Sequence, residues 1–192
     1  MILNSLLFLV LSSCDVPSGD HYIPKHVTNT KPVRVIAMTL SEAANDSLAT
    51  ETINTKKTKA EQLVNFAETL KGITYKYGSS DPRIGFDCSG FISYVFNRFE
   101  IRVPRASKEF TYAGREIKLK DAKRGDLILF TGTDSTKRVV GHMGIITANE
   151  GNSHQFIHST SGKAYGVTAT PLNRYYQGRF VKVIRIFKED EI

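Results

Sequence analysis

Gly85-Phe86-Asp87-Cys88-Ser89-Gly90-Phe91 carries both the fold and the chemistry of this chain. Asp87 is a strong helix N-cap type, able to accept from the free backbone N–H groups of a first turn. Phe91, Ile92, Val95, Phe96 and Phe99 follow at helical spacing, so a helix is predicted from Cys88 to about Phe99. Cys88 then stands at a helix N-terminus, where free N–H groups and the helix dipole favour a thiolate. A lowered thiol pKa is the expectation, and the small Ser89 and Gly90 leave room for a substrate beside the sulfur.

Upstream, Thr58 and Glu61 have the spacing of a capping box. Ala60, Leu63, Val64, Ala67 and Leu70 then share one helical face, and Gly72 supplies the stop. A loop rich in Gly, Ser, Asp and Pro runs from Gly78 to Gly85, and a short helix is expected near Ser107. Downstream of Gly125 the period changes to strands: Leu127–Phe130, Met143–Thr147, Gln155–His158, Ala164–Ala169 and Phe180–Phe187. Helices first and about five strands later favour an α+β fold, an antiparallel sheet with N-terminal helices packed on one face.

A chain of 192 residues with 41% hydrophobic and 23% charged residues has the composition of one soluble globular domain plus an extension. The net charge of +7 is not concentrated in any basic run, and no arginines alternate with aromatics. Nucleic acid is therefore not an expected partner. Neither C-x-x-C nor H-E-x-x-H occurs, nor a phosphate loop or dinucleotide fingerprint, so no metal or cofactor is expected.

The chain has two cysteines, Cys14 and Cys88. Residues 1–13 are a nearly unbroken apolar run ending in Leu11-Ser12-Ser13, which reads as a secretory signal. Cys14 directly after it resembles a bacterial lipobox, although no Lys or Arg precedes the apolar run. That resemblance implies lipidation of Cys14 and a membrane anchor. Residues 14–57 are weakly periodic and are expected to be a tether, with one short strand possible at Val33–Met38; residues 58–190 are the expected domain. With Cys14 lipidated, Cys88 has no disulfide partner in an exported protein, and an unpaired thiol there is most simply explained by a chemical role.

A catalytic thiol needs an imidazole to take and return its proton, and a third group to orient that imidazole. Of five histidines, His21 and His26 lie in the tether. His142 opens an apolar strand after Gly141, and His158 lies on the returning strand of the same hairpin. His154 has the parity of His158 but lies nearer the turn.

Six segments in order resemble the NlpC-type family of bacterial cell-wall cysteine endopeptidases, a papain-like clan. They are Gly72–Gly78, Gly85–Phe91, Val103–Ser107, Arg124–Phe130, Gly141–Ile145 and Phe156–Ser161. Gly78-Ser79 stands where the family commonly has Gly-Gly, and the loop after Ser79 and the turn at Glu150–Ser153 look slightly long. The resemblance implies Cys88 as nucleophile, His142 as general base and acid, and His158 as orienting residue. Tyr75 matches the aromatic residue that helps polarise the scissile carbonyl, beside the backbone N–H of Cys88. Asp87, Ser89, Arg105 and Ser107 match positions near the substrate groove. The implied activity is hydrolysis of peptidoglycan stem peptides or crosslinks, at the D-glutamate to diamino acid bond or the D-alanine to diaminopimelate bond. Amidase or acyltransferase chemistry on the same scaffold, or a non-catalytic wall-binding lipoprotein, are the alternatives. The expected partners are peptidoglycan peptides and, through the lipid on Cys14, a bacterial membrane facing the periplasm or cell surface. A monomer is expected.

Overall fold

The computed structural model describes residues 53–150 and 153–192. The leader, Cys14, most of the tether, Val33–Met38, His21 and His26 lie outside the described residues. The first helix, α1 (Ala60–Thr69), buries Ala60, Leu63, Val64 and Ala67, the face predicted from spacing. Its start differs by one position from the expected box. Lys59 is the N-cap, and its backbone N–H donates to the Gln62 carboxamide at 3.2 Å, so Glu61 is free to meet Arg124 instead. Gly72 has φ +89°, the left-handed conformation that ends the segment after the helix.

A two-stranded ribbon, β1 (Ser80–Asp81) with β2 (Gly85–Phe86), turns the chain into α2 (Cys88–Asn97). Asp87 caps α2 as expected, accepting from the Gly90 N–H. Gly90 is small for a different reason from the one its place beside the cysteine suggested. A Cβ there would lie 2.0 Å from the Ser79 carbonyl oxygen, so the ribbon packs directly on the first turn of α2.

The main sheet has six antiparallel strands in the order β3-β8-β4-β5-β6-β7. They are β3 (Arg115–Ile117), β4 (Leu127–Thr131), β5 (Val140–Glu150), β6 (Ser153–Thr160), β7 (Gly166–Pro171) and β8 (Phe180–Arg185). The strand absent from the sequence reading is β3. Arg115-Glu116-Ile117 is too short and too polar to show a period, and it exists because β8 offers it an edge. The sheet therefore has six strands where about five were expected.

Leu127, Leu129, Met143, Ile145, Ile157 and Ile184 form one face of the sheet and pack against α1 and α2. Ile128, Phe130, Ile146, Phe156 and Val183 form the other. That second face is covered by α3 (Arg174–Arg179) through Tyr176, together with Leu119 and Ala122. Helices thus lie on both faces, the N-terminal pair on one and a six-residue helix on the other. The short α3 escaped detection because Asn173-Arg174-Tyr175-Tyr176-Gln177-Gly178 has no apolar repeat. It is held by its Asn173 cap, whose side chain accepts from the N–H groups of Tyr175 and Tyr176.

Arg124-Gly125-Asp126 locks these layers. Arg124 joins Glu61 and Glu68 of α1 to the Thr147 carbonyl of β5. Asp126 is fully buried, pairs with both ends of the Arg185 guanidinium at 2.8 Å, and accepts from the Lys123 N–H. It thereby closes a turn and ties the start of β4 to β8. At the N-terminal side, the Thr55 hydroxyl donates to the Glu191 carboxylate and Ile53 packs on the core. Ile53, Thr55 and Glu191, which flank residues 58–190, thus pack together with that domain.

Candidate active site

The site forms where the ladder between β5 and β6 stops. That pairing runs from Glu150–Ser153 to Ile145–Ile157 and does not reach His142. The first residue of α2 fills the opening: Cys88 Sγ lies 3.9 Å from the Gly141 carbonyl oxygen. Behind it, the Ser159 hydroxyl donates to the Phe86 carbonyl at 2.7 Å, fastening the ribbon to β6.

His142 and His158 point to the sheet face opposite α2, into an aromatic wall of Phe130, Phe156 and Tyr176. His142 Nε2 and His158 Nδ1 are 2.8 Å apart, and His158 Nε2 lies 2.9 Å from the Thr170 hydroxyl. This leaves Nδ1 of His142 as the nitrogen available to the cleft, where His142 and Cys88 both line the wall. If Nδ1 is to take a proton it must start bare. Nε2 of His142 then carries hydrogen and donates to His158, whose own Nε2–H donates to Thr170. Thr170 is a member of this chain that sequence reasoning missed. The only signal was its parity with Thr168, the residue paired with His158 across β6 and β7.

His154, on the parity of His158, is used elsewhere: its Nε2 lies 3.0 Å from the Leu119 carbonyl oxygen. Tyr75 lines the same cleft, half-buried, with its backbone wedged between Tyr165 of the loop before β7 and Phe86 of β2. Burial, followed by the nearby Cys88 and Asp87 charges, raises its hydroxyl above its ordinary value, so it is a donor at neutral pH.

Asp87, Ser89 and Arg105 form a compact group beside α2. Arg105 binds both oxygens of Asp87 at 2.8 and 3.0 Å and the Ser89 hydroxyl at 3.0 Å. The Asp87 carboxylate is therefore engaged by the helix cap and the guanidinium together. Ser107, half-buried, opens the short helix 107–112. None of these four lines the cleft with Cys88 and His142. That cleft, about 900 Å³, extends the other way, along Thr160–Ala164, Thr168, Thr170 and α3.

The thiol pKa departs from the sequence expectation. Burial, reinforced by the Asp87 carboxylate, pushes the Cys88 thiol up to about 11. The N–H groups of Ser89, Cys88 and Met143 oppose this and are outweighed. Burial also holds His142 well below its ordinary value, helped by His158 and Arg179, and holds His158 at about 4. At neutral pH the resting pair is thus a neutral thiol and a neutral imidazole, and the helix N-terminus alone does not make a thiolate. The sign is testable. A thiol with a raised pKa is unreactive until the pH climbs toward that value. Carbamidomethylation of Cys88 by iodoacetamide should be slow at pH 6 and rise about tenfold per pH unit through pH 10. A fast rate that is flat from pH 5 to 8 would instead mean a preformed ion pair.

The NlpC/P60 family matches residues 72–185. The chain belongs to the NlpC/P60 family. Its similarity to the gamma-DL-glutamyl hydrolase of Bacillus subtilis is 33% identity over 129 residues, 67% of this chain and 30% of that protein. The murein DD-endopeptidase/LD-carboxypeptidase MepS of Escherichia coli is 32% identical over 118 residues, 60% of this chain and 57% of that protein. Among solved structures, a lipoprotein-like NLP/P60 protein of Staphylococcus aureus superposes with a TM-score of 0.57 at 28% identity. That match covers 71% of this chain and 43% of the other. The chain thus spans between about a third and three-fifths of these relatives' lengths. The NlpC/P60 domain described here has the mixed helix and antiparallel-sheet architecture that the resemblance implied.

Proposed function

We propose that this protein is a cysteine endopeptidase that hydrolyses peptide bonds in peptidoglycan stem peptides or crosslinks. The observation that carries this is the hydrogen-bonded series His142, His158 and Thr170, with His142 lining one cleft together with Cys88. Names among its relatives point the same way: a γ-glutamyl hydrolase and a murein endopeptidase share the domain.

The mechanism follows from the resting protonation. Substrate entry brings a carbonyl carbon against Cys88 Sγ and excludes water. The thiol proton passes to His142 Nδ1 as the sulfur attacks, so the thiolate exists only in the encounter. His142 becomes an imidazolium and His158, accepting from its Nε2–H, stabilises that charge. The Cys88 N–H and the Tyr75 hydroxyl donate to the oxyanion. Collapse breaks the C–N bond, His142 returns its proton to the leaving amine, and a thioester remains. Water, losing a proton to His142, attacks the thioester; the acid leaves and the thiol is restored. All the groups come from one chain, in keeping with a monomer, and the chemistry calls on no metal. The apolar leader and Cys14 support export, lipidation and anchorage to a bacterial membrane on the envelope side.

Incubation of purified muropeptides with the wild type and with Cys88→Ala tests this. New stem-peptide fragments from the wild type alone are expected by mass spectrometry, and their masses identify the bond cut. Transfer products in place of free acids would favour acyltransfer, and binding without any fragments would refute the hydrolase.

A further inference from the structure

The cleft wall that holds Cys88 and His142 contains two cations, Lys163 and Arg179, and no aspartate or glutamate. Arg179 ends α3 and is nine-tenths buried, with 9% of its surface exposed. Its Nη atoms donate to the Tyr175 hydroxyl at 2.7 Å and the Thr131 carbonyl at 2.8 Å. Its guanidinium carbon also lies 5.1 Å from the centre of the Tyr175 ring. Every one of these partners is neutral. Among the described residues no carboxylate pairs with Arg179 or Lys163. Arg179 Nε is, moreover, the buried side-chain donor left without any partner there.

The contrast with the other enclosed arginines is sharp. Arg185 has Asp126 and Glu189, and Arg124 has Glu61 and Glu68. Buried charges are ordinarily paired, because an isolated one loses its hydration without return. A guanidinium that is buried, uncompensated and turned to a catalytic cleft is in the position of one whose counter-ion arrives with the ligand.

We propose that Arg179, with the exposed Lys163 at the mouth, is a carboxylate subsite that selects substrates carrying a free carboxylate on a residue flanking the scissile bond. This rests on the peptidase reading above. An ordinary peptide bond consumes the α-carboxyl of its acyl residue. A γ-linked glutamyl bond leaves that carboxylate free beside the reacting carbonyl. Diaminopimelate as the leaving residue, having two carboxyls, keeps a carboxylate free on the leaving side. Either carboxylate fits the planar guanidinium, whose remaining donors match its two oxygens. Lys163 contributes a mobile point charge that draws anions to the mouth.

The test compares L-Ala-γ-D-Glu-diaminopimelate with two analogues, one amidated at the glutamyl α-carboxyl and one at both diaminopimelyl carboxyls. Binding to Cys88→Ala protein is measured by calorimetry and turnover by the wild type. One amide should bind about tenfold more weakly than the acid, which identifies the side read. Arg179→Gln should erase that ratio, Arg179→Lys should restore part of it, and Lys163→Ala should narrow it with the loss falling on KM more than kcat. Equal binding of acid and both amides overturns the subsite. So does a ratio left intact by Arg179→Gln and Lys163→Ala. If Arg179→Gln fails to fold, the exposed Lys163 decides alone. Acid-selective binding without turnover would refute the peptidase and keep the subsite; turnover blind to amidation would do the reverse.

Discussion

Replacing His142 with alanine is expected to slow stem-peptide cleavage by on the order of 10⁴-fold, and to cost nothing further in a Cys88→Ala background. The size follows from the resting state. With the thiol pushed up to about 11, almost no thiolate exists at neutral pH, so nearly all reactivity depends on proton transfer to His142 during attack. Removing His142 removes that route and also the acid that expels the amine. The two residues act as one unit, which is why their losses do not add. His158→Gln should cost less, about 10²-fold, because it keeps a polar partner for His142 and loses only the best orientation. Initial rates for the five proteins (wild type, His142→Ala, Cys88→Ala, the double variant and His158→Gln) on one muropeptide check this. A His142→Ala rate within about tenfold of wild type would show that another group takes the proton.

Gly90→Ala is expected to lower the melting midpoint by on the order of 10 °C, equivalent to about 3 kcal/mol, with loss of activity. The added Cβ would stand 2.0 Å from the Ser79 carbonyl oxygen and 2.9 Å from Asp87 Oδ1. Both neighbours are fixed. The Ser79 carbonyl accepts from the Asp87 N–H at 3.0 Å, and the Asp87 carboxylate is held by the cap and by Arg105. Neither can yield without releasing the turn that presents Cys88. Cys88→Ala, which removes the sulfur without crowding anything, serves as control and should melt within a few degrees of wild type. A Gly90→Ala protein that melts with the control and still cleaves would mean the ribbon can slide off α2 at little cost.

The places where sequence and structure part company share a cause. The two N-terminal helices and five of the six main strands are readable because each carries its own apolar run or repeat. By contrast, β3 and α3 have no such face. The first is recruited by the edge of β8, and the second by its Asn173 cap and by Tyr176 settling on Phe130 and Phe156. The same division runs through the candidate site. His142 and His158 are legible from strand parity and order, since a hairpin must bring residues of one face together. Thr170 and Arg179 are not, because their closeness to His158 and to the cleft depends on β7 pairing beside β6 and on α3 folding back over the sheet.

The sequence by itself determined an α+β domain, a cysteine at the start of a capped helix and a histidine pair on one hairpin, because caps and periodicities are local properties. Only the tertiary structure decided the protonation of that cysteine. Burial depends on everything packed around the sulfur, and here it outweighs the helix N-terminus that the sequence displays. It also decided the electrostatics of the cleft. A guanidinium without a carboxylate is a statement about neighbours in space, which no linear order of residues contains.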